Sequence, residues 1–166
     1  VHISDVYKKF NENHDRISDK ESRILNAILW VGKAHTELDN KIYFLELCFA
    51  LESLLQVDTD KFINPSITYS ISSNCAMISA DKYEDRKNVM SKLKQLYSIR
   101  SKLAHGKNSD VSNLECEQLF MYISYLLADL ANKEIWKRYS SMHELMQEIE
   151  NQKLGKLTDC ETDSIE

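Results

Sequence analysis

Three glycines and a single proline in 166 residues leave this chain almost without breakers. Sheet folds turn roughly every ten residues and draw on Gly, Pro or Asn at those turns. A chain this poor in them reads as long helices instead. Apolar residues make up 43% of the sequence, enough to build the core of one domain of this length. The expected fold is all-α, an antiparallel helical bundle of five to six helices joined by short loops.

Apolar spacing places the helices. Residues 1–18 are polar, with weak periodicity through Ile3, Val6 and Phe10, and read as a lead-in after a missing upstream region. Val1 in place of a Met reads the same way, as a trimmed chain or a fragment that leaves room for an upstream domain. The helical domain is expected over 19–153. Asp19 or Ser22 can cap its first helix, which carries Ile24, Leu25, Ile28, Leu29 and Val31. The next stretch, 41–56, is apolar nearly all round and is expected to be the central, buried helix. Pro65 stands at a first helical position before a Ser- and Thr-rich helix. A fourth helix spans about 84–104, and Gly106 offers a left-handed stop. Two more follow, at about 112–131 and 141–152. The acidic tail, 154–166, reads as disordered.

The formal net charge is -5, so the molecule as a whole is not a generic polyanion binder. Its charge is unevenly spread. Residues 82–107 carry eight basic side chains against two acids, which leaves one basic helix in an acidic chain. Such a helix serves either as a solvated face or as a local anion site. Cys48, Cys75, Cys116 and Cys160 are far apart and form no CxxC pair, so no metal site is expected. Cys48 and Cys116 read as reduced core thiols of a cytoplasmic chain. No apolar run is long enough to span a membrane, and no signal peptide is visible. There is no glycine-rich phosphate loop and no nucleophile elbow, and no cofactor is expected. His2, His14, His35 and His143 are dispersed and read as surface residues. Trp30 and Trp136 read as packing residues rather than base-stacking platforms. Asp58, Asp60 and Asn64 lack the spacing of a calcium loop.

Two charges stand on apolar lines. Arg100 lies among Leu93, Leu96, Tyr97, Leu103 and Ala104 at helical spacing, and Glu52 lies among Leu45, Cys48, Phe49 and Leu55. An unpaired buried charge costs several kcal/mol, so the two are expected to pair across the bundle. That pair serves either to set helix register or to hold a functional arginine. His105 closes the same helix, where the macrodipole favours a cation and can raise an imidazole pKa. A histidine beside an arginine is the minimum set for acid–base work on a phosphate ester. The same placement also suits a histidine that only caps the last carbonyls. Positions five apart on a helix point about 140° away from each other, so Arg100 and His105 converge only if the helix loosens at Gly106 or a second copy of the chain supplies the missing half.

The segment Leu96-Tyr97-Ser98-Ile99-Arg100-Ser101-Lys102-Leu103-Ala104-His105-Gly106 resembles the R-x4-6-H motif of HEPN domains. In form it is most similar to the Apea-like HEPN group, whose "ALEsLL" helix also resembles Ala50-Leu51-Glu52-Ser53-Leu54-Leu55. The resemblance covers roughly residues 40–132. It implies a helical bundle that forms a homodimer, with two motifs meeting in the dimer cleft, and a metal-independent endoribonuclease of toxin or antiviral defence systems. His105 would then act as general acid or base at the ribose 2′-OH. Arg100 would stabilise the charged phosphorus centre, and Glu52 would orient Arg100. Lys102 and Lys107 would hold the RNA backbone, with Ser101 and Tyr97 among the RNA-binding positions. Ser101 stands where the more active members often carry Asn, Asp or His. The alternative is a non-catalytic HEPN module that dimerises or binds a nucleotide or a partner.

Overall fold

A computed structural model of the chain describes residues 17–56, 66–106 and 109–155. The expectations for the lead-in up to residue 16, for the loop 57–65 with Pro65, for Lys107, and for the tail from 156 with Cys160 lie outside the described residues. Within them the chain is all helical and no strand occurs. The helices are α1 (Asp19–Ala34), α2 (Asn40–Leu55), α3 (Ile67–Ser79), α4 (Tyr83–Ala104), α5 (Asn113–Asn132), α6 (Glu134–Lys137) and α7 (Met142–Lys153). Six of these match the expected helices. The single turn α6 leaves no trace in the apolar pattern, because four residues are too few to show a period.

Local side-chain chemistry sets most of the boundaries. The cap of α1 is Ser18 rather than Asp19 or Ser22: its hydroxyl accepts from the Glu21 amide at 3.2 Å while Glu21 reaches back to the Ser18 amide at 3.0 Å. This reciprocal box satisfies two otherwise orphaned donors. Asp19 is thereby freed for a longer-range task and accepts from the Met142 amide at 2.8 Å, which ties α1 to the start of α7. Asp39 caps α2, Ser66 caps α3, and Ser112 with Glu115 repeats the box at α5. Two serines of α3, Ser72 and Ser73, point back into their own helix. Ser72 donates to the Thr68 carbonyl at 2.6 Å and Ser73 to the Ser70 carbonyl at 3.3 Å, so hydroxyls that would be costly in a core are satisfied and buried. Gly106 takes φ +66, the left-handed stop expected of it.

The core is centred on α2. Phe44, Leu47, Cys48, Ala50, Leu51 and Leu54 are fully buried, and α2 packs against α1, α3, α4 and α5. Helices α1 and α2 run antiparallel in one register: Arg23 donates to the Gln56 carbonyl, the Trp30 ring meets Phe49, and Lys33 pairs with Glu46, each step along α1 matched by an equal step back along α2. The contact between α2 and α4 is parallel, because α3 intervenes between them: Tyr97 reaches Cys48, and one turn further on Arg100 reaches Glu52. The expectation of a fully buried α2 needs correction on one side. Ile42 is 46% exposed and Phe49 39%, which leaves an open apolar strip along α2.

Candidate functional site

The structure brings Glu52 and Arg100 together. Arg100 Nε donates to Glu52 Oε1 at 3.0 Å and Nη2 donates to Oε2 at 3.1 Å, a two-pronged contact that fixes the plane of the guanidinium. The side chains are 24% and 13% exposed, so the pair is neither a surface ion pair nor a core one. Burial works against the arginine's charge, but the Glu52 hydrogen bonds and charge outweigh it and hold Arg100 above its ordinary range. Among the described residues Nη1 has no hydrogen-bond partner. Arg100 is thus oriented by one carboxylate and keeps donors for an anion.

His105 is placed differently. It is the C-cap of α4 and is exposed, and its amide donates to the Ser101 and Leu103 carbonyls. Among the described residues its ring has no hydrogen-bond partner. The helix stays regular through Ala104, and the chain departs only at His105 and Gly106, whose amide donates to the Leu103 carbonyl. Within one chain, therefore, Arg100 faces α2 while the His105 ring stands in solvent, and the two share no partner. Ser101 and Lys102 are exposed on the outer side of α4. Upstream on the same helix, Lys87, Lys92 and Lys94 are also exposed, and Lys94 lies over the Tyr69 ring at 5.5 Å.

Tyr97 needs correction. Burial removes it from the expected RNA-binding positions: it is fully enclosed, and its hydroxyl donates to the Cys48 carbonyl at 3.5 Å. Its position on the α4 stripe directs the ring under the Arg100–Glu52 pair, so its service is to the register of α4 on α2. Burial pushes its hydroxyl well above the ordinary tyrosine range. Burial likewise raises the Cys48 thiol and raises Cys75 to about 12 and Cys116 to about 11. These three are free thiols in the core, where burial disfavours the nucleophilic thiolate.

Sequence reasoning missed the neighbours of the pair. Phe49 lies one turn before Glu52 on α2, and its ring packs on Trp30 of α1 with centroids 5.2 Å apart. Lys33 sits 5.0 Å over the Trp30 ring and pairs with Glu46 at 2.7 Å. Glu46 is buried, and among the described residues its second oxygen has no hydrogen-bond partner. The signal available in the sequence was the three-residue step from Phe49 to Glu52, but a helix apolar nearly all round hides which of its residues face outward. Trp136, by contrast, is the packing residue expected of it: it is buried and its indole donates to the Ile78 carbonyl at 3.2 Å.

Among the described residues, His, Cys, Asp and Glu form no group of three or more that could hold a metal ion, and no helix is long and apolar enough to cross a membrane. No protein-family model, no curated protein and no solved structure matches this chain.

Proposed function

We propose that this chain is a HEPN-type, metal-independent endoribonuclease that works as a homodimer, with its active centre assembled from the Arg100 and His105 of two copies. The observation that carries the reading is the two-pronged grip of Glu52 on Arg100. A partly exposed arginine, pre-oriented by a carboxylate and holding an unused nitrogen, is suited to the charge that builds on a phosphorus centre. His105 supplies an accessible imidazole at the end of the same helix for the 2′-OH or the leaving oxygen. The two groups diverge within one chain, so a second copy is needed to complete the pair. Lys102 adds a phosphate contact from the exposed side of α4. Buried free thiols support a reducing, cytoplasmic setting, and a toxin or antiviral defence role follows from the motif's resemblance.

A second reading has its own support. The separation of the His105 ring from Arg100 within one chain also fits a HEPN module that binds a nucleotide or a partner without cutting. Labelled RNA incubated in EDTA with wild type, His105→Ala and Arg100→Ala separates the two. The nuclease reading expects cleavage by wild type and loss in both variants. Equal cleavage by all three removes the assigned roles, and no cleavage by wild type favours the binding module. Sedimentation that shows only monomer at high concentration removes the composite site.

A further inference from the structure

The open strip of α2 lies between α1 and α4. Phe49, 39% exposed, is its aromatic member. On one side the Trp30 ring packs against it at 56° and 5.2 Å, fixing the Phe49 ring against an aromatic wall. Lys33, 58% exposed, lies over that same Trp30. On the other side, one helical turn along α2, stands Glu52 with Arg100 and its unused Nη1. An exposed, braced π-face thus sits between two cations, one turn along α2 from the carboxylate that orients the guanidinium. Flat apolar rings alternating with cations are what an unpaired nucleobase and its flanking phosphates require. Two acids beside Phe49 on α2, Glu46 and Glu52, are engaged by Lys33 and Arg100.

We infer that Phe49, backed by Trp30, is a stacking site for an unpaired RNA base, with the flanking phosphates held by Arg100 on one side and Lys33 on the other. The inference rests on the reading that this chain engages RNA, and it moves base contact from the buried Tyr97 to Phe49. It makes single-stranded RNA the preferred form, because a paired base offers no free face.

The test uses a short, 2′-O-methylated oligoadenylate, which binds without being cut, and the same sequence as a duplex. The chain has two tryptophans, and Trp136 is buried, so a fluorescence change on binding reports Trp30. The single strand is expected to quench Trp30 and to bind more tightly than the duplex. Phe49→Leu keeps the apolar bulk and removes the π-face; it is expected to weaken binding roughly tenfold or more and to abolish the quenching. Phe49→Trp is expected to retain the affinity. Binding that is lost in Arg100→Ala but unchanged in Phe49→Leu overturns the stacking site and leaves the RNA reading intact. Quenching and Phe49 dependence without any cleavage of unmodified RNA keeps the stacking site and removes the nuclease. Absence of binding to either strand form removes both. A Phe49→Leu chain that loses self-association and keeps its affinity assigns the strip to a second copy and overturns the proposal.

Discussion

Arg100 and Glu52 meet through two hydrogen bonds of nearly equal length, 3.0 and 3.1 Å, across a parallel contact of α4 with α2. One turn back, the buried Tyr97 hydroxyl meets the Cys48 carbonyl. The pair is therefore held from beneath by packing as well as by charge, and either partner alone would be a half-buried charge on an apolar stripe.

Arg100→Ala and Glu52→Ala are each expected to destabilise the fold by about 1–3 kcal/mol, less than a fully buried pair because water reaches both side chains. The double variant is expected to cost less than the two single losses together, since it strands no charge. Urea unfolding of the four proteins measures this. Single losses near zero, or strict additivity, would mean the contact does not hold in solution.

Lys33 and Glu46 form the opposite kind of pair, with an exposed cation and a buried anion. Lys33→Met leaves the Glu46 carboxylate without its partner and is expected to cost about 1–3 kcal/mol at neutral pH. Glu46→Met removes the buried charge and its unpaired oxygen and is expected to lie within about 1 kcal/mol of wild type. Equal losses from the two substitutions, in thermal or urea unfolding, contradict this asymmetry.

Gly106 has open space where a side chain would stand, so only its backbone conformation, φ +66, resists substitution. Gly106→Ala is expected to cost about 1 kcal/mol, and Gly106→Asn less, because Asn tolerates the left-handed region. A melting temperature for Gly106→Ala equal to that of wild type would show that the chain leaves α4 differently.

Burial raises Cys75 to about 12 and Cys116 to about 11 from the usual 9.0. The unfolded chain then releases these protons at a lower pH than the folded one. The stability they contribute is complete below pH 9 and is lost as pH rises from 9 toward 11–12, by up to about 1.4 kcal/mol per pH unit for each thiol. Cys75→Ala is expected to flatten that decline by the share of one proton. Iodoacetamide at pH 8 is expected to leave Cys48, Cys75 and Cys116 unlabelled until the chain is unfolded, as read by mass spectrometry of peptides.

The pairing of Arg100 with Glu52 was legible in the sequence because each charge breaks an apolar stripe, and a stripe is a periodic, local property. The glycine stop after His105 was legible for the same reason. The place of Tyr97 between Leu96 and Arg100 in the chain says nothing of direction, whereas its place on the stripe of Leu93 and Leu96 points it into the core. The exposure of Phe49 is hidden in the sequence because α2 is apolar on nearly every side, and periodicity carries no information where every position is alike.

By itself the sequence determined what depends on neighbours three or four residues apart: the all-helical class, six of the helices, most of their ends, and the two charges that needed each other. The tertiary structure alone decided what depends on distant segments. The capping box at Ser18 left Asp19 for Met142, and the placement of α1 and α4 on α2 buried Tyr97 and left Phe49 open beside Trp30. Hydrogen bonding within a turn is written in adjacent residues, but which face of a helix meets water is set by how closely two other helices approach it.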